Sequence, residues 1–381
     1  MSIQRLGDYI EQYSHKNKND DPYPVYSVTN SEGFCTEYFN KDVSGKKKTN
    51  YKIVPKGYFA YNPSRINVGS IDWQNSEDNV IVSPIYVVFK CLKELDQDYL
   101  KYFIKSPEGI RMINSKVSGA VRNNLRFEDL SEFEFNIVEY DKQIEVVNML
   151  KLIEKAIDNE KNQLKLYDEL IKARFVELFG DPVENPKGWT TKSLKELVTD
   201  DCTISYGIVQ TGDDQEDGVP VFRPVDIVNH VPLRSELKRT TEEISNKYKR
   251  TILKGREMLI TVRANIADTC VVGEEFAGCN VGRGIVPIRT KEDEITLEFL
   301  KHQIDSKHLN DSIKALAKGI TLIQLNMEDL REIKLIVPPI DEQIVYVDFV
   351  KQVDKSKVVV QERIKVYEEL LNKKMYEYYI V

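Results

Sequence analysis

The sequence predicts an α+β chain made of two similar mixed modules, each followed by a long helix. Three observations predict it. The stretch KLYDELIKARFVELF (165–179) returns as KVYEELLNKKMYEYY (365–379), an offset of 200 residues. Apolar residues recur every seven positions through both copies, as in the seam of a coiled coil. Ahead of each copy lie short Val- and Ile-rich segments edged by Gly, Asn and Pro, which read as strands.

The repeat extends well beyond the helices. Asp141, Gln143, Ile144, Val147, Lys151 and Lys155 return as Asp341, Gln343, Ile344, Val347, Lys351 and Lys355. Gly119, Leu125, Glu128, Asp129 and Leu130 return as Gly319, Leu325, Glu328, Asp329 and Leu330. Earlier the match slips by two, with KGYFAYNPSRIN (56–67) against KGREMLITVRANI (254–266). The module starts share only a short apolar pattern, RLGDYI and SLKELV. A period this long is no solenoid; it marks two copies of a whole module. The copies differ most over 10–55 and 198–253, so two divergent fronts sit on one scaffold.

Taken in order, strands are expected at NVIVSPIYVVFK (79–90), EMLITVR (257–263) and GIVPIR (284–289). Amphipathic helices are expected at 98–117 and 297–317, each running into a glycine-containing loop, SGAVRNNL (118–125) or KGITLIQL (318–325). The first long helix spans 141–179 and stops at Gly180, with Asp181-Pro182 behind it. The second starts after Pro338-Pro339, near Asp341, and runs to the C-terminus. Seam positions are Leu150, Ile157, Leu164, Ile171 and Leu178 in the first, and Val350, Ile364 and Leu371 in the second, with Lys357 interrupting. The two helices are expected to pack on each other. At 1.5 Å per residue each is roughly 60 Å long, enough for a spacer. The boundaries read as 1–138, first module; 139–181, first helix; 182–338, second module; and 339–381, second helix.

Composition narrows the function. The 381 residues are 41% hydrophobic and 30% charged, with no apolar run long enough for a membrane span. The N-terminal stretch lacks the apolar centre of a signal peptide. Five scattered cysteines without a C-x-x-C pair suit a reducing, cytoplasmic setting. The net charge of −7 argues against nucleic acid as an average, but a polyanion feels the local patch.

Enzyme signatures are thin. No phosphate loop of the G-x-x-x-x-G-K-[ST] kind and no G-x-S-x-G elbow is present. His15, His230, His302 and His308 share no metal-ligand spacing and read as surface polar residues. Asn62-Pro63-Ser64-Arg65 faintly suggests the Asn-Pro-Pro-aromatic loop of amino-methyltransferases, without its second proline and aromatic; a turn is the simpler reading. Asp226 followed by Glu236 and Lys238 has nuclease-like spacing, but not in a clear strand. Binding signals are broader. KDVSGKKKTNYK (41–52), IRMINSKVSGAVRNNLRF (110–127) and the 233–257 segment put basic residues with interleaved polar and aromatic side chains in both modules.

With LIKARFVELFGDP (170–182), NPKGWTTKSLKELV (185–198), VFRPVDIVN (221–229), IVPPIDEQI (336–344) and FNIVEYDKQI (135–144) in this order, the chain resembles the DNA specificity (S) subunit of type I restriction–modification systems. The resemblance implies two target recognition domains set apart by an antiparallel coiled coil. It implies a non-catalytic subunit that reads a split site in double-stranded DNA. It also implies two docked methyltransferase subunits and restriction-translocase subunits, with S-adenosylmethionine, ATP and Mg on those partners and no cofactor on this chain. Elementary geometry agrees on the helix directions. A duplex backbone has local two-fold axes, and similar modules gripping it alike are related by one, so their helices run oppositely.

On this reading Lys46, Lys47, Lys48, Arg122, Lys247, Lys249 and Lys318 are candidates for phosphate contacts. Arg65, Asn123, Asn124, Gln210, Arg223, Arg263 and Gln324 are candidates nearer the bases, and Asn67, Thr211, Asn265 and Thr321 are further DNA-contact candidates. The 56–70 segment differs from its counterpart, so the modules are expected to dock with different loops. Two other readings stay open: a coiled-coil scaffold that binds protein, and a metal-dependent nuclease around Asp226, Glu236 and Lys238.

Overall fold

The computed structural model describes residues 3–36, 48–92, 94–117, 124–227, 232–319 and 323–380. The chain forms two compact units. One holds Met1–Asn162 with Val360–Val381, the other Gln163–Val359. Each unit thus contains a module, the start of the helix that follows it, and the end of the other helix.

Both units open and close alike. Ile3–Arg5 pairs antiparallel with Glu134–Asn136, and Thr190–Ser193 with Lys334–Val337. The amide of Leu6 donates to the Phe133 carbonyl at 2.8 Å; Leu194 makes the same bond to Ile333 at 3.0 Å. This closes each module directly before its long helix.

At the core of each module lies an antiparallel sheet. In the first unit Phe59–Tyr61 is flanked by Val87–Cys91 and Ile71–Trp73, with Ile10–Tyr13 outside Val87–Cys91. In the second, Glu257–Thr261 lies between Thr269–Val272 and Ile285–Ile288. The central strands are buried along their length, which explains their near-continuous apolar runs. The fronts differ. The first unit adds the hairpin Ser27–Thr29/Gly33–Cys35 and the pair Lys52–Pro55/Asn79–Val82. The second adds a sheet ordered Arg239–Thr240, Val219–Phe222, Asn280–Val281, the last pair parallel.

Several expected elements divide. The run at 79–90 is two strands, Asn79–Val82 and Val87–Cys91, because Ser83-Pro84 turns the chain between them. The helix expected at 98–117 is Gln97–Lys105 and Pro107–Val117. Ser106 breaks it by adopting an extended conformation ahead of Pro107, which disfavours a helical predecessor. The helix expected at 297–317 is Leu297–Ile304 and Lys307–Ala315, with Ser306 extended in the same role.

The long helices are Tyr140–Phe179 and Ile340–Tyr379. Gly180 ends the first in the left-handed region at φ +78°. Inside each unit the helical segments run antiparallel. In the first unit Arg363 donates to Glu160 at 2.8 Å, and Leu150 and Tyr379 share one core. In the second, Lys357 donates to Asp168 at 2.7 Å, while the ring centroids of Phe175 and Tyr346 lie 5.6 Å apart. Of the seam positions, Leu150, Ile157, Ile171 and Val350 are buried; Leu164, Leu178, Ile364 and Leu371 are half-buried.

One buried glutamine per unit anchors helix to module. The Gln143 side-chain amide donates to the carbonyls of Glu94 (2.7 Å) and Val138 (2.8 Å), and its oxygen accepts from the Asp96 amide. Gln343 repeats this with Glu294 (3.0 Å), Pro338 (2.9 Å) and the Thr296 amide. Losing either side chain would strand buried backbone groups, at about 1–3 kcal/mol each.

Candidate nucleic-acid interface

In both modules the turn that follows the central strand meets the segment that leaves the glycine-containing loop. The Leu125 amide donates to the Pro63 carbonyl at 3.0 Å, and the Leu325 amide to Val262 at 3.0 Å. The central hairpin and the loop exit therefore form one surface in each unit.

In the first unit the turn is built from Asn62 to Ser70. Asn62 Oδ1 accepts from the Ser64 amide (3.1 Å) and hydroxyl (2.9 Å), a local turn motif rather than a substrate-holding loop. Arg65 and Asn124 are exposed there and Asn67 is half-buried. Gly69, at φ +85°, is pressed against the neighbouring hairpin; a Cβ would lie 2.2 Å from Asn30 Oδ1. Lys48 sits apart, its amide bound to Asp20 Oδ1 at 2.8 Å. Lys46, Lys47, Arg122 and Asn123 lie outside the described residues, as do Thr321 and His230.

The second unit brings more of the candidates together. Arg263 follows the central strand and bridges antiparallel to Gln324, which bridges to Lys318. Arg263 Nε donates to Gln324 Oε1 at 2.7 Å, and Nη2 donates to the same oxygen. Lys318 is strongly exposed, with Asp329 3.7 Å from its ammonium. Asn265 is exposed two residues beyond Arg263. Gly284 brings Pro224 close to Arg263: a Cβ there would lie 2.5 Å from Pro224 Cγ and 3.4 Å from Arg263 Cβ. Arg223 precedes that proline and is clamped to Asp226 by Nε (3.0 Å) and Nη2 (2.7 Å). Exposed Gln210 follows Ile208, whose amide donates to Val281 at 2.8 Å; half-buried Thr211 accepts from the Thr240 hydroxyl.

Lys247 and Lys249 belong to a separate basic pocket of about 390 Å³, lined also by Ser205, Tyr206, Tyr248 and Arg250. Lys247 is paired with Glu243 at 2.9 Å. Two residues here were not named individually as contacts from the sequence, although Arg250 falls in the basic 233–257 segment. Arg250 adds a cation to this pocket. Arg283 is exposed between Gly282 and Gly284, beside the Arg263 turn. The glycines on both sides of Arg283 were the available signal, since they let the backbone come close to Phe222 and Pro224.

The nuclease candidates do not converge. Asp226 is clamped by Arg223, Glu236 accepts from the Leu233 amide at 2.9 Å, and Lys238 donates to the Gly212 carbonyl at 3.2 Å. No group of three or more His, Cys, Asp or Glu among the described residues is placed to hold a metal ion. Nor is any helix among them long and apolar enough to cross a membrane.

The histidine reading needs one correction. His15 and His308 are exposed, the latter 3.2 Å from Asp181. His302, by contrast, is packed edge-on against Tyr346, with ring centroids 5.5 Å apart. Its burial, helped by Lys301 and Lys357 and opposed by Asp305, pushes its pKa down to about 4. At the matching position the first unit has Tyr102, bound to Glu154.

Residues 186–367 match the type I restriction modification DNA specificity domain. Across 358 residues the chain is 23% identical to the type I restriction enzyme EcoBI specificity subunit of Escherichia coli, covering 84% of this chain and 75% of that one. The second half of the chain carries a type I restriction–modification specificity domain. A putative type I restriction enzyme MjaX specificity subunit from Methanocaldococcus jannaschii is 19% identical over 291 residues, 72% of this chain and 62% of the relative. Among solved structures, a chain from a type I restriction–modification system described for its assembly and conformational transition aligns with a TM-score of 0.64 at 17% identity. That alignment covers 98% of this chain and 96% of the other. The type I S subunit from M. genitalium aligns with a TM-score of 0.51 at 12% identity, over 100% and 96%. These two likenesses concern the fold.

Proposed function

We propose that the chain is the non-catalytic DNA-recognition subunit of a type I restriction–modification complex. It reads a bipartite site and positions methyltransferase and restriction-translocase subunits on it. The observation that carries this reading is the repeated surface at the central hairpin. One architecture presents Arg65, Asn67 and Asn124 in the first unit, and Arg263, Asn265, Lys318 and Gln324 in the second. A common frame with different side chains suits two half-sites of different sequence.

In functional terms residues 1–138 and 182–338 are the two recognition domains. Residues 139–181 and 339–381 are the helices that separate them. Lys48, Lys247 and Lys249 hold phosphates, together with Lys46, Lys47 and Arg122. Arg223, Gln210, Thr211, Asn123 and Thr321 lie nearer the bases. The complex works in the cytoplasm, and S-adenosylmethionine, ATP and Mg bind to the partner subunits.

The partner surface is repeated as well. Leu166, Leu170 and Val176 are exposed on the first helix, in the second unit. Val366, Leu370 and Tyr376 are exposed at the matching positions of the second helix, in the first unit. At 100° per residue each trio falls within an arc of about 120°. One such stripe per unit supports two methyltransferase subunits per chain.

Co-expression with the methyltransferase subunit, followed by genome-wide mapping of methylated adenines, tests the reading. A split motif is expected, and exchanging residues 1–135 for those of another family member changes one half of it. An unsplit motif, or one untouched by the exchange, overturns the proposal. A stable complex that never methylates favours the scaffold reading.

A further inference from the structure

We infer that Arg263 and Gln324 together read a guanine in the half-site bound by the second recognition domain. The inference rests on the DNA-reading function above and names one base within it.

A guanidinium can only donate hydrogen bonds. Arg263 directs Nε and Nη2 at one atom, Gln324 Oε1. The amide orientation of Gln324 is therefore forced: its oxygen faces the arginine and its NH₂ faces away. The acceptor of the pair is doubly occupied. What remains is the opposite edge of the guanidinium, with Nη1 and the second Nη2 hydrogen, and the Gln324 NH₂. No described residue engages these groups, so the pair presents donors only.

The fork is held in place by backbone. Leu325 donates to Val262, Val262 to Gly284, and Lys318 and Gln324 exchange reciprocal bonds at 3.0 Å. The turn beyond Arg263 is tight, with Ala264 and Ala267 at φ +59° and +66°. Left-handed alanines cost free energy, and such conformations concentrate at ligand-binding sites. Ala264, Asn265, Lys318 and Ile323 around the fork are exposed, so an edge of a duplex can reach it.

In the major groove only guanine offers two adjacent acceptors, N7 and O6. Adenine pairs its N7 acceptor with an N6 donor, which a donor-only fork repels. Cytosine offers a donor, and thymine one acceptor beside a methyl group. Guanine is the base that a donor-only fork selects. At the position matching Gln324 the first module has Asn124, so the two modules need not read the same base here.

The test uses the full chain assembled with its methyltransferase subunits. Binding is competed with duplexes carrying every single base-pair change across the second half-site, and the methylation motif is mapped in parallel. Arg263→Ala is expected to relax one G·C position, reducing the preference for G there by roughly tenfold to a hundredfold. The ranking at all other positions stays unchanged. Gln324→Glu keeps the oxygen that holds Arg263 and removes the second donor. It is expected to weaken the same position and no other, which guards against a misfolded alanine variant. A uniform loss on all duplexes, with a shallower salt dependence, marks a phosphate clamp and overturns the inference. A second half-site without G·C overturns it as well. If the unaltered complex shows no sequence preference at all, the DNA-reading function itself fails, a result distinct from either.

Discussion

His302 shows how one side chain ties packing to pH. In the folded chain its pKa is about 4, because burial excludes the charged ring; free in an unfolded chain it titrates near 6.5. Folding therefore favours the neutral form. The stabilising contribution is complete above about pH 6.5 and is lost as the pH falls toward 4, where the unfolded chain binds the extra proton. The expected loss between pH 7 and pH 5 is on the order of 2 kcal/mol. Thermal unfolding at the two pH values measures it. His302→Phe keeps the edge-on contact with Tyr346 and should flatten the difference; an unchanged pH dependence in that variant would assign the effect elsewhere. Nothing in the local sequence distinguished His302 from the exposed His308. The first unit's Tyr102 at the same repeat position was the one available clue, because an aromatic ring there has to be packed.

At the scale of elements the long helices carry two separable surfaces. Ile171 is buried with Phe175, Phe179 and Tyr346, so Ile171→Ala should cost about 2–4 kcal/mol, and half-buried Leu164→Ala less. The double variant is expected to lose methyltransferase assembly because the helical segments part. Leu166→Ser with Leu170→Ser removes only exposed apolar surface. That pair should leave the melting temperature within a degree or two and still abolish capture of a methyltransferase subunit. If the Ser variants assemble normally, the exposed stripe is not the docking surface. The helices were the most legible part of the sequence, since a seven-residue repeat and a Gly-Asp-Pro stop are local signals. The short helices before them were legible as amphipathic but not as pairs. The break at Ser106 had a local signal in Pro107, which disfavours a helical predecessor, whereas the break at Ser306 has no proline behind it and was not legible.

For the whole molecule, the net charge of −7 and a DNA partner are reconciled by placement. Lys318 and Arg283 are exposed around the Arg263 turn, and Lys249 and Arg250 at the basic pocket. Acidic residues elsewhere set the average. Affinity for any duplex should therefore fall steeply with salt despite the acidic pI. Arg283→Ala should lower the slope of log K against log salt by about one, leaving the order of preference among sequences intact. A change of preference instead would make Arg283 a base reader.

Sequence alone determined the duplication, the two long helices with their stops, the mixed character of the modules and the family they resemble. Each of these is written in short-range periodicity or in a repeat that can be laid against itself. Tertiary structure decided three other things. It placed the end of each helix in the compact unit of the other module, which a seam cannot specify because apolar seams do not name their partner. It joined Arg263 to Gln324 across 61 residues and set Arg223's proline beside them, pairings made by backbone bridges between distant strands. It also engaged Asp226, Glu236 and Lys238 with three different partners, which sequence spacing could not reveal. Contacts between segments far apart in the chain are set by how strands and helices stack, and only the folded backbone contains that information.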